Sequence, residues 1–162
     1  MYHKILVAID NSPMAQPVFE RALSLAKENS ATLLLLHVLS SDEQSSPLML
    51  PTDDDELDWI IGSDIGLKKW REQWQKYESE CLGKLQALAA EARSAEVNVE
   101  FRQITGGPGR TISQLAKTWG ADLIVIGNRG HSGLSELLLG SVSNYVLHHS
   151  PCSVLTVKAK LA

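Results

Sequence analysis

The sequence predicts a doubly wound α/β fold, a five-stranded parallel sheet in the order 3-2-1-4-5 with helices on both faces. Three observations carry this. The runs Ile5–Ile9, Thr32–Val38 and Asp122–Ile126 are near-continuously apolar, as in strands covered on both faces. Between and after them lie stretches whose apolar residues recur at helical spacing, so strand and helix alternate along the whole chain. Glycines stand where strand-like runs give way to helix-like ones, at Gly106–Gly109 and again between Gly127 and Gly140.

Each element follows in turn. Ile5–Ile9 is the first strand, and Asn11-Ser12-Pro13 reads as a helix start with Ser12 as N-cap and Pro13 at the first helical position. Phe19, Ala22, Leu23 and Ala26 keep helical spacing to about Glu28, and Thr32–Val38 is the second strand, completing a parallel crossover unit. The segment from Leu39 to Gly66 differs: it holds Pro47, Pro51, Asp53–Asp55, Glu56 and Asp58 and has little periodicity. A connection of that length is usually functional or mobile.

A long helix is predicted from about Leu67 to Ser94, with Trp70, Trp74, Tyr77, Cys81, Leu85 and Leu88 on one face. Val97–Phe101 alternates and reads as an edge strand. Gly106-Gly107-Pro108-Gly109 opens a helix carrying Ile112, Leu115 and Ala116, which Gly120 stops. The run to Ile126 is the fourth strand, a helix reaches about His149, and Ser153–Val157 is the fifth strand beside the fourth. With strand one central and strand four beside it, ligands are expected outside their carboxyl ends, where Asp10 and the Gly127 segment face each other.

Composition sets outer limits. A chain of 162 residues, 44% hydrophobic and 21% charged, has room for a proper core, and a single domain over residues 1–162 is expected. The net charge of -4 gives no electrostatic reason to expect nucleic acid or an anionic membrane as partner. The longest aliphatic run is far too short to span a bilayer, and the N-terminus reads as a strand, not a signal peptide. Cys81 and Cys152 lie in segments that look buried and suggest no disulfide framework, which favours a reducing cytoplasm.

The most informative feature is Gly127-Asn128-Arg129-Gly130, then nine residues, then Gly140-Ser141. A strand ending in glycines that reopens as a helix exposes N–H groups at the helix's positive end, which suits an anion such as a nucleotide phosphate. Glycine there permits close approach and positive φ, and Ser141 and Ser143 add hydroxyls. The plain alternative is a glycine-rich turn that only links a strand to a helix.

Other residues stay open on the same grounds. Asp10 is as readily a turn residue as a ligand. Arg129 can pair with phosphate or be a solvated loop arginine. His148 and His149 suit the negative end of a helix and lack the further ligands a metal would need. The run Asp53–Glu56 reads as a solvated loop, and Trp70 and Trp74 as core or interface.

The spacing Gly-x2-Gly-x9-Gly-Ser resembles the nucleotide-binding signature of the ATP-binding branch of the universal stress protein family. The start Ile5-Leu-Val-Ala-Ile-Asp10-Asn-Ser12, the segment Gly120–Gly127 and the end His149–Val157 are similar to that family as well. The resemblance implies an adenine nucleotide alpha hydrolase-like fold, a nucleotide-dependent stress regulator or sensor, and ATP, or ADP or AMP, as ligand. Asp10, preceded by Ala8 and Ile9, would lie near the nucleotide and any bound Mg2+. Val38, with the backbone at His37, would border adenine. Ile126, Gly127, Arg129 and Gly130 would border ribose and phosphates, and Gly140, Ser141, Val142 and Ser143 would hold the phosphate chain. Ser143 stands where the family often has threonine, which keeps the hydroxyl.

Enzymatic readings find less support. There is no Gly-x4-Gly-Lys-Ser/Thr, no Gly-x-Ser-x-Gly and no glycine-serine turn after strand one, so at most slow ATP hydrolysis is expected. A dimeric scaffold independent of nucleotide is the other alternative, and the intact signature argues against it. A phosphorelay receiver would want an acidic pair after strand one and an Asp after strand three, where Gln103-Ile104-Thr105 stands. A flavodoxin would carry its phosphate loop after strand one. The apolar outer strand Val154, Leu155, Thr156 and Val157 invites pairing, and a homodimer with these strands antiparallel is expected.

Overall fold

Five parallel strands form one sheet: β1 (Lys4–Ala8), β2 (Thr32–Leu39), β3 (Val99–Thr105), β4 (Leu123–Asn128) and β5 (Ser153–Lys158), in the order β3-β2-β1-β4-β5. The computed structural model describes residues 1–43, 46–47, 64–128 and 140–158. The expectations for Arg129, Gly130 and the run Asp53–Glu56 lie outside these residues. Among the described residues the helices are α1 (Ala15–Asn29), α2 (Asp64–Ser94), α3 (Pro108–Trp119) and α4 (Ser141–His149).

The unbroken apolar runs have a simple cause. Alternate residues of one strand face opposite ways, and here each face is roofed by helices. Ile5, Val7, Leu33, Leu35, Leu123 and Val125 pack with Phe19 and Ala22 of α1 and Leu85 and Ala89 of α2. Leu6, Leu34, Leu36, Ile124 and Ile126 pack on the other side with Ile112, Leu115 and Ala116 of α3 and Val146 of α4. Central β1 pairs with both neighbours, Ile5 opposite Leu33 on one side and Leu123 on the other. Ile9 continues the ladder by donating its N–H to the Leu36 carbonyl at 2.8 Å. Asp122 braces the opposite end of the sheet, accepting the His3 and Lys4 N–H groups at 2.7 and 3.1 Å.

Several boundaries differ from the sequence expectation, each for a local reason. Helix α1 begins at Ala15, two positions after Pro13, with Met14 as N-cap and no side-chain cap. Ser12 is drawn instead into a turn, where its N–H and hydroxyl donate to Asp10 Oδ1 at 3.1 and 2.5 Å. Strand β3 sits two residues later than Val97, because Val97 N–H still closes α2 on the Ala92 carbonyl at 3.0 Å. Strand β4 runs on through Gly127 and Asn128, which pair with Val157 and Lys158.

Helix α2 starts at Asp64 and buries Tyr77, Cys81, Leu85, Ala89 and Ala92, while Trp70 and Trp74 stack on each other 6.2 Å apart and stay half-buried. Gly120 ends α3 as expected, in the left-handed conformation at φ 76°. Cys81 and Cys152 are both free thiols. Among the described residues no helix is long and apolar enough to cross a membrane.

Candidate functional site at the carboxyl ends of the central strands

In a parallel sheet whose order reverses beside β1, connections on either side of the reversal leave in opposite directions and open a crevice. A cavity of about 220 Å³ lies there. Ten of the residues anticipated from the sequence line it: Ala8, Ile9 and Asp10 after β1, Val38 on β2, Ile126 and Gly127 on β4, and Gly140, Ser141, Val142 and Ser143 at the start of α4. The expectation for His37 concerned its backbone; its side chain is not part of the wall. It is only 3% exposed, and strand alternation turns its imidazole to the α2 face while Leu36 and Val38 line the cavity.

The polar end of the cavity is the first turn of α4. Its first intrahelical bond is Asn144 N–H to the Gly140 carbonyl at 2.9 Å, and the N-cap residue, Gly140, has no side chain to cap the turn. The N–H groups of Ser141, Val142 and Ser143 therefore have no intrahelical acceptor, and the helix dipole adds positive potential where they stand. Two contacts fix the turn in place. The Gly140 N–H donates to Asn128 Oδ1 at 3.3 Å, and the buried Ser143 hydroxyl donates to the Gly127 carbonyl at 3.2 Å.

The two described glycines of the signature do different jobs. Gly140 has φ −56° and ψ 155°, open to any residue, and a Cβ added there would meet nothing within 4 Å among the described residues. Its value is close approach over the helix start, not unusual backbone. A Cβ on Gly127 would lie 3.0 Å from Val18 Cγ2 and 3.4 Å from Met14 Cβ, so this glycine lets α1 press against β4. Neither needs the positive φ expected of it.

The opposite walls are apolar and acidic. Leu36, Val38, Ile112, Ile126 and Pro108 supply the apolar surface, and Asp10, Asp42 and Glu43 supply carboxylates. Among the described lining residues there is no lysine or arginine. Asp10 does act as a turn residue toward Ser12, and the Ser12 hydroxyl in turn accepts the Met14 N–H at 3.2 Å. Among the described residues no three His, Cys, Asp or Glu side chains gather to hold a metal. A divalent ion would fit here only with phosphate oxygens completing its shell, beside the Asp10 carboxylate. His149 closes α4 by stacking on Tyr145 at 3.9 Å, with Nδ1 bonded to the Tyr145 carbonyl at 2.9 Å.

Sequence reasoning missed Glu43, which lines the cavity yet is 8% exposed. Its Oε1 accepts the Asn11 N–H at 2.9 Å, both oxygens lie 3.1–3.2 Å from His37 Nε2, and Tyr77 donates its hydroxyl to Oε2. Burial pushes this carboxyl up, but the hydrogen bonds from His37, Tyr77 and Asn11 outweigh it and hold the group below the ordinary glutamate range. The available signal was His37 itself, since a histidine in a buried strand needs a polar partner. Met14, Pro108 and Ile112 were also missed as wall residues, having been read only as helix sequence.

Comparison with known proteins accords with this geometry. The model of the universal stress protein family matches residues 1–158. The universal stress protein Sll1388 of Synechocystis is 38% identical over 157 residues, covering 97% of this chain and 98% of its own. The solved structure of hypothetical protein MJ0577 superposes with a TM-score of 0.74 at 28% identity, covering 100% of this chain and 99% of that one. A universal stress protein family protein from Arabidopsis thaliana, solved with AMP bound, shares the fold at 21% identity and a TM-score of 0.60, covering 98% and 92% of the two chains.

Proposed function

This chain belongs to the universal stress protein family, and from that premise we propose that it binds adenine nucleotide, ATP foremost, as a nucleotide-dependent regulator or sensor of stress. The nucleotide sits with its phosphates on the N–H groups of Ser141, Val142 and Ser143 and its base against Val38, Leu36 and Ile126. One observation carries the reading: an uncapped helix start and an apolar wall border the same cavity at the strand-order reversal. The AMP found in the Arabidopsis relative supports the same ligand class.

The carboxylates on the wall add a requirement. Asp10, Asp42 and Glu43 repel a bare triphosphate, so ATP enters as its Mg2+ complex, with Asp10 nearest the ion. By the signature that contains them, Arg129 and Gly130 are the further candidates for contact with the phosphates. The protein works in the cytoplasm as one domain and as a homodimer. The half-buried residues Val154, Leu155, Thr156 and Val157 of β5, the last strand of the sheet, form its contact.

The test is direct. Protein purified without added nucleotide is examined by native mass spectrometry for a co-purifying adenine nucleotide, and stripped protein is titrated with MgATP by calorimetry. A saturable one-to-one isotherm is expected. No heat at millimolar MgATP, with no retained nucleotide, refutes the reading.

A further inference from the structure

A carboxylate buried in a pocket wall calls for an account, because taking its charge out of water is costly unless the group is held for a purpose. Three donors of the protein itself converge on Glu43: Asn11 N–H on Oε1, His37 Nε2 shared between the two oxygens, and Tyr77 on Oε2. His37 acts as donor through Nε2–H, since the carboxylate it faces can only accept.

What the carboxylate does hold is backbone. Asn11 directly follows Asp10, and its N–H ends on Glu43. The same residue is held a second time from α2, where Lys84 Nζ donates to Asn11 Oδ1 at 2.6 Å. Tyr77 and Lys84 are seven residues apart, two turns along one face of α2. The turn Asp10-Asn11-Ser12 is thus clamped from outside the cavity, by a helix whose side chains do not line it.

We propose that Glu43, gripped by Tyr77 of α2 and His37 of β2, is a positioning residue that fixes the Asp10 turn against the bound nucleotide. This rests on the nucleotide reading above. Through it, anything that shifts α2 relative to the sheet alters the pocket. Cys81 of α2 also lies within electrostatic reach of Glu43, and Asp10 and Asp42 share the cavity wall with it.

The experiment compares wild type, Tyr77→Phe, Glu43→Gln and Leu85→Val by MgATP calorimetry, thermal melting and the Asn11 amide resonance. Tyr77 lies outside the wall and its hydroxyl donates to Glu43, so a change there reaches the pocket without touching the ligand. Tyr77→Phe and Glu43→Gln are expected to weaken MgATP roughly 3- to 10-fold and to move the Asn11 amide proton upfield. Leu85→Val, buried on the same α2 face, lowers the melting temperature and leaves affinity unchanged.

If the first two variants only melt earlier, with affinity within about twofold of wild type, Glu43 is a packing element and the inference is wrong. The Asn11 amide of wild type is followed in acid as a check that needs no variant; a resonance blind to Glu43 protonation overturns the clamp. Failure of the nucleotide reading looks different: wild type itself gives no heat, and the inference falls with it.

Discussion

Gly140→Val separates ligand binding from folding more cleanly than any other single substitution. At φ −56° and ψ 155°, valine is conformationally acceptable, and its Cβ meets no atom of the described residues within 4 Å. The change should cost the ligand-free protein under about 1 kcal/mol, the scale of N-cap effects. At this size that is a melting shift of roughly 2–4 °C.

With nucleotide the position is otherwise. The added isopropyl group stands over the first turn of α4, between the phosphates and the three N–H groups that lack an intrahelical acceptor. Each hydrogen bond to a charged acceptor is worth about 1.5–3 kcal/mol, so loss of one raises the MgATP dissociation constant roughly 10- to 100-fold. Calorimetry reads the affinity and differential scanning fluorimetry, with and without nucleotide, reads the split. Equal affinity in a variant that folds normally would mean that the phosphates are held elsewhere.

Three further outcomes follow from the same geometry. Leu155→Lys puts a charge into β5, where Leu155 is half-buried beside the α1-side core, and should convert the dimer to monomer in analytical ultracentrifugation; a variant that folds and still sediments as a dimer contradicts the β5 contact. Chelating Mg2+ with EDTA should weaken ATP about 10-fold or more, because the described wall offers carboxylates and no lysine or arginine; an isotherm indifferent to EDTA removes the metal. The Glu43 carboxyl is held low in the folded protein, so its contribution to stability is complete above the unfolded value of about 4.3 and is lost as pH falls through the lower folded value. Melting temperature should accordingly drop in that acid window, and less steeply in Glu43→Gln than in wild type.

What the sequence made legible was what solvent dictates. Ile5–Ile9 and Thr32–Val38 could be read as strands because helices cover both their faces, and the observed strand order is the expected one. The phosphate turn was legible because glycine spacing is a local property. Three-dimensional competition was not. Ser12 reads as a helix cap until Asp10 claims it. Glu43 looks like one more acid in an acidic connection, and only the fold brings Tyr77, thirty-four positions away, against it. Gly127 looks like part of a loop, and its pairing with Val157 depends on where β5 ends.

The glycine signature is therefore two instruments rather than one. Position 127 answers to a helix on the far side of the sheet, where Val18 would have to give way to admit a methyl group, whereas position 140 answers to whatever arrives from solvent. A relative that has abandoned its ligand would still be obliged to keep the former and free to discard the latter. When such a chain is judged from its sequence, the second glycine should weigh more.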